Sequence, residues 1–317
     1  MKYIANRYEI IDEGEIVFGK QYKARDVEEN ILVYIQLIKD NKYVDKNFLP
    51  NLIDESTVLS QANSYEIAKI LDLGIEMNDE ERYYYIVSEF FEGIELKKVI
   101  KENYIDLDII VEITKKILKT LEVGYKNNIY HGSLTEENIF VDSNYNIKIY
   151  DYCITKANKG VNIRKNNSIE FMSPHQLNIN YTDMESDLFT LGIILFHAVF
   201  KKMPFGIGKD EEVMLKLIDK GTDWNTVKIN DENVGLANII KKLIRRTEKY
   251  NTINEILIDL SKFMYVQAKI KENEITQLNE KNTENKNISI SKNTFFKKIA
   301  FLVLTIMILV TVISQFS

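Results

Sequence analysis

Asn138 and Asp151 are the residues of this chain whose types and spacing could do chemistry most directly. Ile139-Phe140-Val141 is β-branched and aromatic, Asp142 to Asn146 has the composition of a turn, and Ile147 to Tyr150 alternates again. That pattern reads as two antiparallel strands. Asn138 enters the first strand and Asp151 leaves the second, so folding makes them neighbours. An amide oxygen beside a carboxylate is a hard-oxygen pair suited to Mg²⁺, which keeps several waters and takes further ligands from phosphates. A polar hairpin end also forms through turn chemistry alone, so the pair gains meaning only in company with other signals.

Those signals lie in the elements that must position the pair. Tyr8 to Arg25 reads as strand, turn and strand with Gly14 and Gly19 at the turn, and Leu32 to Ile38 as a third strand. Glycines in a hairpin let the backbone approach a ligand and offer amide N–H groups to phosphate. Asn51 to Ser60 reads as a helix carrying Glu55, and Tyr83 to Val87 as a strand leading into Ser88-Glu89-Phe90-Phe91-Glu92-Gly93. From there the chain turns mostly helical, most clearly over Ile109 to Tyr125 and Asp187 to Phe200. The fold class implied is α+β, with a small β-rich lobe followed by a larger helical one.

Composition narrows the function. The 317 residues are 45% hydrophobic and 28% charged, with a net charge of −6 and no basic stripe interleaved with aromatics, which excludes a nucleic-acid partner. A single cysteine, Cys153, excludes internal disulfides, and His131, His175 and His197 have no zinc spacing.

The two ends differ in character. Met1 to Glu15 has no apolar stretch of the secretory kind. Ile299 to Ser317 carries no charge and follows Phe295, Phe296, Lys297 and Lys298. As a helix it would span roughly 28 Å, about the hydrocarbon thickness of a bilayer. The expectation is one C-terminal transmembrane helix, residues 295–317, anchoring the chain in the cell membrane. Lys292, Lys297 and Lys298 put the preceding part on the cytoplasmic side. Ile256 to Leu278 has helical character, and residues 266–294 form a polar juxtamembrane linker.

In order and spacing, Tyr8 to Tyr265 resembles a eukaryotic-type Ser/Thr protein kinase domain. Gly14, Gly19 and Tyr22-Lys23-Ala24 resemble the Gly-rich loop, Val33-Tyr34-Ile35-Gln36 stands at the V-A-I-K strand, and Glu55 matches the glutamate of the helix that follows. Tyr130 to Asn138 stands where the catalytic loop belongs, Asp151-Tyr152-Cys153 replaces D-F-G, and Phe171 to Gln176 resembles the end of the activation segment. Ser186 to Gly192, followed by Met203-Pro204-Phe205, resembles the central buried helix and its exit. The resemblance implies a bilobal fold with lobes 1–91 and 92–265. It also implies ATP and Mg²⁺ as cofactors, nucleotide contacts at Gly14, Gly19, Glu89 and Phe91, and metal contacts at Asn138 and Asp151.

The departures from the family pattern fall on the chemistry. Gln36 stands where a lysine holds the α and β phosphates, and a neutral amide does not replace that charge. Ser133 stands where the catalytic aspartate accepts the substrate proton, and Thr135 replaces the loop lysine two residues on. Ile16 fills the position of the middle loop glycine. His175 and Tyr250 stand near the places of a paired glutamate and arginine; losing both partners is close to neutral, whereas losing one costs about 3 to 5 kcal/mol. His131 and Asp187, which tie the catalytic loop to the helical core, are kept.

The expectation is therefore a membrane-tethered pseudokinase, a scaffold or regulator with weak or no ATP-dependent phosphoryl transfer. Its partners would be an active kinase or that kinase's substrates. The alternatives are an active Ser/Thr kinase with a relocated lysine such as Lys20 or Lys23, or a small-molecule phosphotransferase suggested by His131-Gly132. Thr155, Ser168 and Ser173 are candidate phosphorylation sites, with Arg164 nearby to order a phosphate.

Overall fold

The computed structural model describes residues 2–16, 19–78, 80–102, 105–163, 169–245 and 247–284. The chain divides into two units, residues 1–265 and residues 266–317.

The first unit opens with five strands, β1 (Tyr3–Ile4), β2 (Tyr8–Ile16), β3 (Gly19–Asp26), β4 (Ile31–Lys39) and, after helix α1 (Phe48–Gln61), β5 (Ile70–Asn78); β6 (Glu81–Glu89) completes an antiparallel sheet in the order β1-β2-β3-β4-β6-β5. Alternation along β4 gives this sheet two apolar faces. Val33, Ile35 and Leu37 join Ile4, Tyr8, Tyr22, Ala24 and Val87 on one face. Tyr34, Gln36 and Ile38 point the other way, and Ile38 joins the main core with Phe48 and Leu52 of α1. Arg7 anchors the first turn through two hydrogen bonds to the Asp26 carboxylate, at 2.9 and 2.7 Å.

The larger lobe carries a small antiparallel sheet, β7 (Ile94–Glu95), β8 (Ile139–Val141) and β9 (Ile147–Ile149), with helices α2 (Leu96–Lys101) and α3 (Leu107–Lys126) between β7 and β8. After β9 come α4 (Ile154–Ala157), α5 (Pro174–Ile179), α6 (Met184–Phe200), α7 (Glu211–Lys220), α8 (Val234–Ile244) and α9 (Ile253–Glu284). Helix α6 is buried along most of its length and forms the axis of the lobe. Asp183 caps its N-terminus by accepting the Ser186 N–H at 2.8 Å. Gly192 lets α8 approach: a Cβ there would lie 2.6 Å from Ile244 Cγ2.

The expected elements form, with shifted ends. Helix α1 begins at Phe48 rather than Asn51, because Pro50 is tolerated in a first turn, where its missing N–H has no intrahelical partner. Helix α9 continues past Leu278 to Glu284; the stretch is rich in Lys, Glu and Gln and contains no Gly or Pro to stop it. Part of the expected linker is thus helical. Among the described residues no helix is long and apolar enough to cross a membrane, and the expected anchor at 295–317 lies outside them.

Candidate nucleotide and phosphoryl-transfer site

The catalytic-loop segment hangs on Asp187. From the first turn of α6 its carboxylate accepts the His131 N–H at 2.9 Å and the Gly132 N–H at 2.7 Å. Gly132 has φ +74°, and a Cβ there would lie 2.6 Å from Thr155 Cγ2, so only glycine suits the position. Burial pushes the Asp187 carboxyl up to about 7, against the pull of those two amides. The His131 ring is fully buried, with Nε2 2.8 Å from the Tyr150 carbonyl and Nδ1 accepting the Ser133 N–H at 3.3 Å. Those partners assign the proton to Nε2. Burial lowers this imidazole to about 4, so it is neutral at physiological pH.

Ser133 therefore sits in a formed catalytic loop without the group the loop is built to present. Its hydroxyl is 3.5 Å from His131 Nδ1, and neither the neutral imidazole nor the alcohol is a carboxylate base. Thr135, fully buried, accepts the Glu137 N–H at 3.2 Å through its hydroxyl and caps the next turn rather than presenting a cation.

The hairpin mouth brings Asn138, just before β8, and Asp151, just after β9, together, as the Ile139–Ile149 pairing requires. The amide Nδ2 of Asn138 donates to the Ser133 carbonyl at 2.8 Å and faces Asp151 Oδ2 at 3.4 Å, while Oδ1 accepts the Thr135 N–H at 2.9 Å. A donor, rather than a second oxygen, faces the carboxylate. Asp151 and Cys153 both adopt left-handed backbone, φ +68° and +71°. A D-F-G glycine at the third position would be free of the Cβ penalty that Cys153 carries. Burial raises the Asp151 carboxyl to about 7, countered only by the Asn138 amide. Among the described residues no three carboxylate, imidazole or thiol groups converge as a metal cluster.

The positions that would hold phosphate lack positive charge. Gln36 is buried, and its Nε2 has no hydrogen-bond partner among the described residues. Glu55 is half-buried on α1 and makes no ion pair among the described residues. Helix α1 and its approach are fastened instead to α4 and the residues after it. Asn51 Nδ2 donates to the Ala157 carbonyl at 2.8 Å, the Asp45 N–H donates to Asn158 Oδ1 at 2.7 Å, and Lys159 pairs with Asp45 at 2.8 Å. The candidate substitute lysines are turned to other partners: Lys20 pairs with Glu13, and Lys23 Nζ lies 4.7 Å from the Phe90 ring centre.

The remaining expected nucleotide contacts frame the cleft. Gly14 pairs with Gln21, Ile16 pairs with Gly19, and the hairpin tip at 17–18 lies outside the described residues. At the exit of β6 the Glu89 carbonyl accepts the Tyr150 hydroxyl at 2.9 Å, and the Phe91 backbone addresses the same phenolic oxygen. The Glu89 carboxylate accepts from the buried Lys148 ammonium at 3.0 Å. Phe140 and Tyr150 are buried against Phe91 and Ala68, and Tyr34 packs on them. An adenine nucleotide does not fit these residues: the backbone edge at Glu89 is bonded, the slot beside it holds rings, and the phosphate end offers the neutral Gln36.

Sequence reasoning overlooked Tyr34, Phe140 and Tyr150 as residues that decide the site. The signal was present in Val33-Tyr34-Ile35-Gln36, where a tyrosine stands at the alanine of V-A-I-K and adds a ring to the inner face of the sheet. At the places of the family's paired glutamate and arginine, His175 contacts Asp183 at 3.1 Å and Tyr250 donates to Asp259 at 3.0 Å. The candidate phosphorylation sites change. Thr155 and Ser173 are buried, and Ser173 caps α5 with Gln176, so neither presents its hydroxyl to a modifying enzyme. Ser168 and Arg164 lie outside the described residues. Cys153 is buried, and burial pushes its thiol well above the ordinary range, which makes it inert.

Comparison with known proteins agrees with this architecture. The protein kinase domain family matches residues 6–269. A probable serine/threonine-protein kinase of Clostridium perfringens is 30% identical over 82% of this chain and 39% of its own length. A second, of Clostridium acetobutylicum, is 30% identical over 81% of this chain and 40% of its own. The serine/threonine-protein kinase PrkC of Bacillus subtilis is 28% identical over 82% of this chain and 41% of its own. The chain spans about two fifths of the length of these curated relatives.

Proposed function

The chain belongs to the protein kinase domain family, and from that premise we propose that it is a kinase-fold regulator or scaffold that has lost phosphoryl transfer. The family works with ATP and Mg²⁺. The observation that carries the reading is Ser133: the loop is assembled around His131 and Asp187, yet its working position holds an alcohol 3.5 Å from a neutral imidazole. Phosphoryl transfer depends on positioning and on stabilising charge, and Gln36 and Thr135 withdraw two cations from it. A fold maintained without its chemistry is suited to binding, and its partners are an active kinase or that kinase's substrates. The uncharged run Ile299 to Ser317 anchors it in the cell membrane, with the kinase-like unit on the cytoplasmic side.

The names of the relatives favour a second reading, an active Ser/Thr kinase that works with displaced groups. Losing a base lowers a phosphoryl-transfer rate without abolishing it, so this reading makes a definite prediction. Incubation of the full chain with ATP and Mg²⁺, followed by intact mass spectrometry, separates the two. An unchanged mass supports the regulator; a phosphorylated product absent from an Asp151→Ala control supports the enzyme.

A further inference from the structure

Three aromatic side chains meet between the six-stranded sheet and the small sheet. The Tyr34 ring centre lies 5.3 Å from those of both Phe140 and Tyr150, which are themselves 5.1 Å apart. Tyr34 meets Tyr150 edge to face at 84°, and Phe140 meets Tyr150 at 66°, arrangements in which positive ring edges face negative ring faces. Phe90 packs on Tyr34 at 5.0 Å. The Tyr150 hydroxyl is not orphaned by this burial, because it donates to the Glu89 carbonyl at 2.9 Å. The Glu89 side chain is held in turn by Lys148 on β9 at 3.0 Å, and Lys148 also donates to the Tyr65 carbonyl.

We propose that this chain fills its own nucleotide slot: the rings of Tyr34, Phe140 and Tyr150 take the place of a purine base, and the Tyr150 hydroxyl takes the backbone edge at Glu89. The two lobes are thereby joined without ATP. The inference rests on the kinase-fold reading but is separable from the loss of transfer, since a protein can bind nucleotide and fail to use it.

A purine is held in such a slot by stacking on both faces and by hydrogen bonds to backbone along one edge. Here both are satisfied internally. A base entering the slot would have to displace Tyr150, separating its hydroxyl from Glu89, and would also break the ring contacts of Phe140 and Tyr34. The phosphate end supplies no compensation, because Gln36 brings a buried amide without a partner among the described residues where the family brings a charge. Removing one ring alone leaves the other two in place, so the opening requires Tyr34 and Tyr150 together.

The test is equilibrium binding of ATP with Mg²⁺, and of adenosine alone, to the detergent-solubilised full chain, read by calorimetry and by the thermal midpoint. The wild type is expected to bind neither at millimolar concentration, and a Tyr34→Ala/Tyr150→Thr variant to take up adenosine with at least a tenfold gain over that limit. Saturable binding by the wild type below about 100 µM, about 5.5 kcal/mol of association, would overturn the proposal. Such binding without phosphate transfer would leave the proposed function standing, which distinguishes the two failures. A folded double variant that still excludes adenosine would also overturn it. Should the double variant not fold, Tyr34→Ala/Tyr150→Leu, which removes both rings while keeping more of the buried volume, is measured in its place under the same two outcomes.

Discussion

Tyr150 donates its hydroxyl to the backbone carbonyl of Glu89 at 2.9 Å, joining the residue before Asp151 to the exit of the last sheet strand. The contact links the lobes through a side chain at the position where the family's nucleotide would link them. It also couples two parts of the site, because the carbonyl of the same Tyr150 lies 2.8 Å from Nε2 of His131. One residue thus fastens the cleft with its side chain and the catalytic loop with its backbone.

Replacing Tyr150 by Phe isolates the side-chain half of that linkage. The ring remains and the Glu89 carbonyl loses its donor, which costs about 1 to 3 kcal/mol when the acceptor stays buried. Urea unfolding of the variant should show a lower midpoint with an unchanged slope. Nucleotide binding should not appear, since the slot is still filled by the phenyl ring.

Restoring the missing groups should not restore the reaction. The double substitution Ser133→Asp with Gln36→Lys returns the base and the phosphate cation to their family positions. Phosphate transfer by this variant is expected to stay at the background level, because the aromatic rings still occupy the slot. A rate raised a hundredfold over background would show that the chemistry alone had been lost.

The buried imidazole of His131 gives stability a pH dependence of definite sign. Its pKa is about 4 in the folded protein against 6.5 ordinarily, so between those values the unfolded chain binds the extra proton. The His131 contribution to stability therefore falls as pH drops from about 6.5 towards 4, by about 3 kcal/mol once both pKa values are passed. Over the same range the buried Asp151 and Asp187 carboxyls, raised to about 7, take up protons in the folded chain first and oppose that loss. Histidine proton NMR at pH 5 isolates the His131 contribution and should find the ring in its neutral form.

The sequence made the framework legible because its signals are local. The β8–β9 hairpin is announced by alternation on either side of a turn, and it fixes Asn138 beside Asp151 without any knowledge of the rest. The burial of α6 follows from its apolar run, and Asp187 at its start finds His131 and Gly132 as the order of the motifs suggests. What a linear reading does not convey is how side chains from separate strands share one space. Tyr34 is marked only by standing at the family's alanine, Phe140 and Tyr150 are ordinary hairpin residues, and their shared meaning comes from centroid separations near 5 Å across three strands or strand ends. The partner changes at His175 and Tyr250 were hidden for the same reason: Asp183 and Asp259 are close to them in the chain, but nothing local marks them as substitutes for a long-range pair.

The most direct measurement of the central claim is transfer of phosphate from γ-labelled ATP with Mg²⁺ to protein substrates by the full chain, beside an Asp151→Ala control. The account predicts incorporation no higher than in the control from protein shown to be folded. Incorporation that disappears in the control would contradict it and assign the reaction to displaced catalytic groups.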